Sequence, residues 1–194
     1  MRKMSECAFK IIIVGDEESG KTSFMKRHIN DVFQEEYTPT LGYENYTVSI
    51  KYRKKYNFMF WDLAGKEENK GLYDGYMIGA DACIIMFDIN NFDVTKIIKT
   101  VYNVKRVTEN LTYVLVANKM DLFNTTENKR STNRKLDYLK RGIKRICENY
   151  SYCEISCKNN YNMERPFSCL VSSLIKSKIP IRTYQLNDKK VIAE

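Results

Sequence analysis

One stretch near the start of the chain constrains its fold more than any other feature. Four apolar β-forming residues, 11–14, run directly into residues 15–22, which have the form G-x-x-x-x-G-K-T, and a segment with helical spacing follows. A strand, a glycine-rich loop and a helix N-terminus in this order surround one concave site with backbone N–H donors. A glycine turn before an ordinary helix is the alternative, but the flanking strand and helix favour a phosphate loop.

The residue types in this phosphate loop (residues 15–22) predict a nucleoside triphosphate site. Lys21 would reach the β- and γ-phosphates, and the Thr22 hydroxyl would coordinate Mg²⁺. The residues of this region predicted to contact the nucleotide are Gly15, Asp16, Glu17, Glu18, Ser19, Gly20, Lys21, Thr22 and Ser23.

Size and composition describe one soluble globular domain. The chain has 194 residues, 43% of them hydrophobic, which is enough for a proper core and too much for a disordered protein. We expect no membrane insertion and no export, because no apolar run is long enough to span a bilayer and residues 1–6 lack an apolar signal region. The six scattered cysteines are expected to be reduced, with metal binding by Cys153 and Cys157 as the weaker alternative, since the one histidine is distant.

Downstream of the phosphate loop the chain alternates between strand and helix patterns. Two runs around residues 46–52 and 56–61 predict an antiparallel hairpin at a sheet edge, followed by a polar loop as far as Tyr76. The alternation predicts an α/β fold with a mostly parallel six-stranded sheet and about five helices on its two faces. Ligands of such sheets bind at the carboxyl ends of the strands. The later strands are predicted at 82–87, 113–117 and 152–156, the intervening helical stretches at 94–104 and up to 147, and a closing helix at 167–174.

Three further strand ends complete the predicted site. Asp62 ends a strand and suits Mg²⁺, which prefers oxygen ligands, and Gly65 lacks a Cβ, so its N–H can approach the γ-phosphate. Asp121 can accept from both the ring N–H and the amine of guanine, a pair that adenine does not offer. Each strand end alone could be a helix cap or a turn, but the series favours guanine. The predicted base-binding residues are Asn118, Lys119 and Asp121, with Ser156, Cys157 and Lys158 at the last strand.

These motifs resemble the Ras superfamily of small GTPases over nearly the whole chain, and within it the Ran family of nuclear-transport GTPases. The matching segments are GKTSFMKRH at 20–28, TLG at 40–42, GLYDGY at 71–76, ACIIMFD at 82–88 and SCKNNYN at 156–162. The resemblance implies a P-loop small G domain at 1–178 with a tail at 179–194. It also implies that Thr40 joins Thr22 and Asp62 on Mg²⁺, that Tyr37 covers the phosphates and that Phe33 lies against guanine.

The same resemblance implies a GTP/GDP switch of nucleocytoplasmic transport in the nucleus and cytoplasm. Its expected partners are importin-β-type receptors and Ran regulators, with no membrane anchor, no nucleic acid and a monomeric chain. A non-cycling Ran mimic or a pseudo-GTPase that serves as a binding module is the alternative. A vesicle-traffic GTPase is less favoured because residues 191–194 offer no cysteine for a lipid.

Two departures from the family predict slow GTP hydrolysis. Lys66 stands where the family has the glutamine that orients the attacking water, and a lysine has no hydrogen-bond acceptor. Glu17 and Glu18 stand where the family has small residues, and Glu17 obstructs the path of an activating protein's arginine finger. Hydrolysis through other groups is the alternative, because this reaction depends mostly on positioning and charge. Asn69 replaces an aromatic residue of the second switch, and the acidic tail of Ran is missing.

A basic stretch lies between residues 123 and 147, with eight basic residues and two acidic ones. It accounts for most of the formal net charge of +8 and includes an insertion of about ten residues after Asp121, relative to Ran. A solvated helix face is the favoured interpretation. A docking patch for an acidic partner or for nucleic acid is the alternative.

Overall fold

A computed structural model describes residues 6–52, 54–65, 70–108, 110–123 and 129–175. Strands and helices alternate through these residues, as the patterns predict. Their bounds in chain order are β1 Glu6–Val14, α1 Lys21–Asn30, β2 Tyr43–Tyr52, β3 Lys54–Leu63, α2 Lys70–Met77, β4 Ala82–Asp88, α3 Val94–Val107, β5 Thr112–Asn118, α4 Met120–Phe123, α5 Lys129–Ile146, β6 Tyr150–Glu154 and α6 Glu164–Ile175.

The strands form one six-stranded sheet with the order β2-β3-β1-β4-β5-β6. β1 pairs in parallel with β3 and β4, β4 with β5, and β5 with β6, whereas β2 runs antiparallel to β3 at the sheet edge. The predicted mostly parallel α/β sheet and its edge hairpin are therefore confirmed. The phosphate loop and the loops after β3, β5 and β6 follow the carboxyl ends of strands, and the loop before β2 reaches the same edge because β2 is antiparallel to β3.

Two hydrophobic cores lie on opposite faces of the sheet. Ile11 and Ile13 of β1 belong to the core under α1 and α6, while Ile12 and Val14 belong to the core under α3 and α5. This alternation follows from the two-residue period of a strand, and it explains why a strand covered on both faces is apolar at every position. Burial of each such side chain contributes about 1.5–3 kcal/mol to folding. The prediction of helices on both faces is confirmed.

The sequence patterns miss one helix. Residues 70–76, predicted as a loop, belong to α2, which packs on the second core through the buried Met77 and the half-buried Tyr76. Gly71 and Gly75 lower the helix propensity of this segment, so tertiary packing decides its conformation. The C-terminal segment 179–194 lies outside the described residues, and the domain boundary at 178 stays a prediction.

α5 carries most of the predicted basic stretch. Its apolar side rests on the second core through Leu136, Leu139 and Ile143. Its cations lie mostly in solvent, as a solvated helix face requires, although Lys140 packs over the ring of Tyr152 at 3.6 Å. Within the described residues, no helix has the length and hydropathy needed to span a membrane.

Candidate nucleotide-binding site

A pocket of about 360 Å³ opens at the carboxyl edge of the sheet, between the phosphate loop and the loops that follow β5 and β6. This volume lies within the range of small-molecule sites. Most of the predicted contact residues line it: Glu17, Glu18, Gly20, Lys21, Thr22, Ser23, Phe33, Tyr37, Thr40, Gly65, Asn118, Lys119, Asp121, Cys157 and Lys158. The remaining ones, Gly15, Asp16, Ser19, Asp62 and Ser156, are absent from this lining and make the contacts described below.

The phosphate loop is folded tightly around the Lys21 ammonium group. Lys21 is 6% exposed, and its Nζ donates to the carbonyl oxygens of Gly15 at 2.9 Å and Asp16 at 2.7 Å. Burial lowers the pKa of Lys21, and the nearby carboxylates of Asp62, Asp16 and Glu17 oppose that shift. A buried cation held by two carbonyls is placed to attract an anion in the pocket.

Two glycines permit the close approach on which this loop depends. A Cβ at Gly15 would lie 2.0 Å from the Met86 carbonyl oxygen, and one at Gly20 would lie 2.2 Å from Asn118 Nδ2.

Gly20 has a φ of +93° and is the N-cap of α1, where no side chain caps the helix. α3 differs, because Asp93 caps the N–H groups of Thr95 and Lys96. The first N–H groups of α1 are therefore left for a ligand.

The three predicted Mg²⁺ ligands come together beside Lys21. The Thr22 hydroxyl donates to Asp62 Oδ2 at 2.5 Å, and its oxygen lies 2.9 Å from the Thr40 hydroxyl oxygen. Asp62 is fully buried, its Oδ1 has no hydrogen-bond partner, and burial raises its pKa to about 6. An orphaned buried carboxylate oxygen beside two hydroxyls is a donor set that fits a hard cation, so these residues suit Mg²⁺.

Asn118 joins the phosphate loop to both predicted base-binding loops. Its Nδ2 donates to the Ser19 carbonyl at 2.9 Å, and its Oδ1 accepts from the Cys157 N–H at 3.2 Å. Asn118 is 2% exposed, so its buried hydrogen bonds hold the three loops together.

The predicted guanine acceptor is held in a fixed orientation. The Ser156 hydroxyl donates to Asp121 Oδ1 at 2.5 Å, and the same hydroxyl accepts from the Asn159 N–H at 3.1 Å. Asp121 lines the pocket, where a carboxylate positioned by Ser156 can accept from a guanine edge.

Lys119 lies at the same wall with an ion pair that the sequence patterns did not predict. Its Nζ is 3.1 Å from Asp88 Oδ2, and Asn90 donates to its carbonyl oxygen. Its aliphatic stem can therefore line the base site while its charge is balanced at the end of β4.

The loop before β2 covers one side of the pocket. Phe33 is partly buried against the first core, and Tyr37 is half exposed at the pocket wall. Burial, together with the carboxylates of Glu17 and Glu18, raises the pKa of Tyr37, which keeps it a neutral hydrogen-bond donor. The contacts of Phe33 with guanine and of Tyr37 with the phosphates stay predictions.

Gly65 lies directly against the phosphate loop. A Cβ at this position would be 2.4 Å from the Glu17 backbone nitrogen and 2.8 Å from the Asp16 carbonyl carbon. Just before it, the Ala64 N–H donates to the Gly42 carbonyl at 2.9 Å, which ties the loop before β2 to the loop after β3. Lys66 and Asn69 lie outside the described residues, so their predicted effects remain sequence predictions.

Several charged contacts around the site were missed by sequence reasoning. Lys96 of α3 pairs with Asp16 at 2.7 Å, and Lys158 pairs with Glu35 at 2.8 Å. Arg27 also donates to the Lys158 carbonyl at 3.0 Å. Each pair joins residues distant in the chain, and no sequence spacing signals them.

The Glu35–Lys158 pair closes the pocket between the loop before β2 and the loop after β6. Replacing Glu35 by glutamine should raise the dissociation rate of a fluorescent guanine nucleotide about two- to fivefold at low salt. The effect is small because the two side chains are 75% and 54% exposed. Stopped-flow displacement measures it. Glu36→Gln, which removes the same charge from the next pocket residue, is the matched control. An equal effect of both variants, or one that persists at high salt, would contradict a specific pair.

Comparison with known families supports this geometry. The family model described as the Ras family matches residues 10–176. The match runs from β1 to the end of α6 and includes every residue placed here around phosphate, metal and base. The sheet order and the helices on both faces are those of a P-loop small G domain.

Proposed function

Because this chain belongs to the Ras family, we propose that it is a Ran-like GTP-binding switch of nucleocytoplasmic transport that hydrolyses GTP very slowly. The family supports guanine-nucleotide binding with Mg²⁺ and a switch role. The transport role and the slow hydrolysis go beyond what the family match supports. They are supported by the Ran-like motifs and by Glu17 and Lys66, which the resemblance assigns to the reaction centre.

The proposal of slow hydrolysis depends on one observation above all, which is the close approach of Gly65 to the backbone of Glu17. Gly65 lies against the Glu17 backbone nitrogen, and Glu17 is an exposed residue that lines the pocket. Lys66, which replaces the family's water-orienting glutamine, follows Gly65 directly in the chain. By the resemblance, both substitutions fall where the γ-phosphate and the attacking water would meet, and neither supplies what the glutamine supplies.

Glu17 and Glu18 should lower the rate of GTP hydrolysis more than they lower nucleotide affinity. A carboxylate at ~5 Å from the γ-phosphate costs about 3 kcal/mol at an effective dielectric of ~20. The ammonium of Lys21, the N–H donors at the start of α1 and a Mg²⁺ on Thr22, Thr40 and Asp62 act in the opposite direction. Mg²⁺ supplies neutralisation of the phosphate charge when it is bound.

Restoring glutamine at position 66 tests the proposal. In single-turnover assays, the natural chain should keep most of its GTP for hours, and Lys66→Gln should hydrolyse it roughly tenfold faster, because glutamine offers a water acceptor. Lys26→Gln changes a pocket lysine on α1 to the same residue and is the matched control. Equal rates for the natural chain and Lys66→Gln would contradict the proposal.

The rate increase caused by a Ran-type activating protein distinguishes the effect of Glu17 from that of Lys66. Its arginine finger is worth roughly 10³–10⁵ in rate, so strong stimulation should require both Glu17→Gly and Lys66→Gln. Strong stimulation of the natural chain would count against slow hydrolysis. Chromatography of the nucleotide released from purified protein identifies a pseudo-GTPase, which carries none. Phosphate release over hours separates a slow GTPase from a non-cycling mimic, which releases no phosphate.

The proposed partners are importin-β-type receptors and Ran regulators, in the nucleus and cytoplasm. The switch segments that keep the resemblance to Ran include Thr40, which lines the pocket, and residues 71–76, which lie in α2. Binding of purified receptor to protein loaded with a non-hydrolysable GTP analogue, compared with GDP, tests this. Equal binding in both states would argue for a module that does not switch.

A further inference from the structure

Two cysteines meet at the edge of the sheet farthest from the β2–β3 hairpin. Cys153 of β6 and Cys169 in the second turn of α6 have their sulfur atoms 3.9 Å apart, at thiol hydrogen-bond distance. Sequence reasoning had considered Cys153 with Cys157 instead. Cys157 approaches the Gly20 carbonyl oxygen of the phosphate loop at 4.0 Å.

The local structure explains how a reactive group arises here. Ser151 and Cys153 are two residues apart on β6 and face the same side, while Arg165 and Cys169 are one helical turn apart on α6. Hydrogen bonding with Cys153, assisted by Ser151 and the Arg165 charge, lowers the pKa of the half-buried Cys169. The same contact raises the pKa of Cys153, and either thiol can be the donor in this hydrogen bond.

The other buried cysteines have different surroundings. Burial raises the pKa of Cys83 and Cys147, and it raises the pKa of Cys157 to about 12. A thiolate nucleophile with a second thiol in contact is the arrangement found in redox-reactive pairs. Within the described residues, no group of three or more His, Cys, Asp or Glu side chains could hold a metal ion.

We propose that Cys153 and Cys169 form a redox-reactive dithiol that a low-molecular-weight disulfide, such as oxidised glutathione, converts into an intramolecular disulfide. The Cys169 thiolate attacks one glutathione sulfur, forms a mixed disulfide and releases one glutathione thiolate. Cys153 then loses its proton to solvent and attacks Cys169 Sγ, which releases the second glutathione. One dithiol is oxidised and one glutathione disulfide is reduced to two thiols.

The bond would close a loop that contains the predicted base-binding residues Ser156, Cys157 and Lys158. It joins residues 153 and 169, and the sulfur atoms must move from 3.9 Å to about 2.05 Å. A loop of this length should raise the melting temperature by about 5–10 °C when it is closed. This inference goes beyond the proposed function, and it holds or fails whether or not GTP is hydrolysed.

The test uses the full chain, reduced and then exposed to oxidised glutathione. The free-thiol count of the denatured protein should fall from six to four, and peptide mass mapping should find Cys153 linked to Cys169. Loss of no thiols, a linkage that includes any other cysteine, or a disulfide between two chains would overturn the proposal. Mapping of the natural chain needs no variant, so a folding defect cannot obscure this result.

Two serine variants separate formation of the mixed disulfide from closure of the intramolecular disulfide. Cys153→Ser should stop at a stable mixed disulfide with one glutathione on Cys169. Cys169→Ser should react with oxidised glutathione much more slowly than the natural chain. Cys7→Ser removes another half-buried thiol and is the matched control, which should react like the natural chain. Glutathione found on Cys7 in the natural chain, with Cys169 unmodified, would assign the reactivity to exposure alone and overturn the proposal.

Discussion

Replacing Lys21 by alanine should lower the affinity for GTP and GDP by about 10²- to 10⁴-fold. Lys21 is buried at the floor of the phosphate loop, with its ammonium held between the Gly15 and Asp16 carbonyls. Two charge-assisted hydrogen bonds to phosphate, at about 1.5–3 kcal/mol each, give this range. The variant also leaves those carbonyls without their partner. Titration calorimetry with Mg²⁺ and each nucleotide measures the loss.

Lys26→Ala is the matched control for this prediction. Lys26 lies on the same helix and lines the same pocket, but its Nζ reaches Gln34 at 3.3 Å near the rim. We expect a change of less than about fivefold, because an exposed cation is screened by water and salt. Equal losses in the two variants would mean that general positive charge, rather than the Lys21 position, holds the phosphates.

Replacing Asp121 by asparagine should lower GTP affinity by about 10²- to 10³-fold and raise affinity for xanthosine triphosphate. The carboxylate accepts from two guanine donors, and removal of one acceptor leaves a buried donor unpaired. Xanthine has an oxygen in place of the amine, so an asparagine amide can donate to it. Ser156 can keep donating to the remaining oxygen at this position and so preserve the orientation of the side chain. Competition assays with the two triphosphates give the ratio.

Asp137→Asn on the solvent face of α5 controls for the loss of a carboxylate from the chain. It should leave both affinities unchanged. A fall for both triphosphates in Asp121→Asn would point to a folding role for Asp121. An unchanged GTP affinity would remove Asp121 from the base site altogether.

Short-range patterns predict much of this fold because each one records a local physical requirement. A strand covered on both faces must be apolar at every position, as residues 11–14 and 82–87 are, and a loop around phosphate needs glycines where the backbone approaches closely. α2 was missed because its two glycines lower its helix propensity while Tyr76 and Met77 pack on the core.

The parts of the site that sequence reasoning missed are long-range pairs. Thr22, Thr40 and Asp62 were predicted to meet because each belongs to a motif with a known task. Glu35 and Lys158, or Cys153 and Cys169, belong to no such motif as pairs. Their contacts depend on how loops and helices from distant parts of the chain settle against one another, and that information appears only in three dimensions.

The hydrogen bond between the Ala64 N–H and the Gly42 carbonyl lies where β2 and β3 pair last, at Tyr43 and Leu63. The segment that carries Thr40 and the segment that carries Gly65 therefore leave the sheet from a common hinge. The hydrogen bond joins the two segments at this point, so their backbones are held together where they leave the sheet. Under the proposed switch role, a partner that contacts only the segment before β2 would be connected through this hydrogen bond to the segment that carries Gly65.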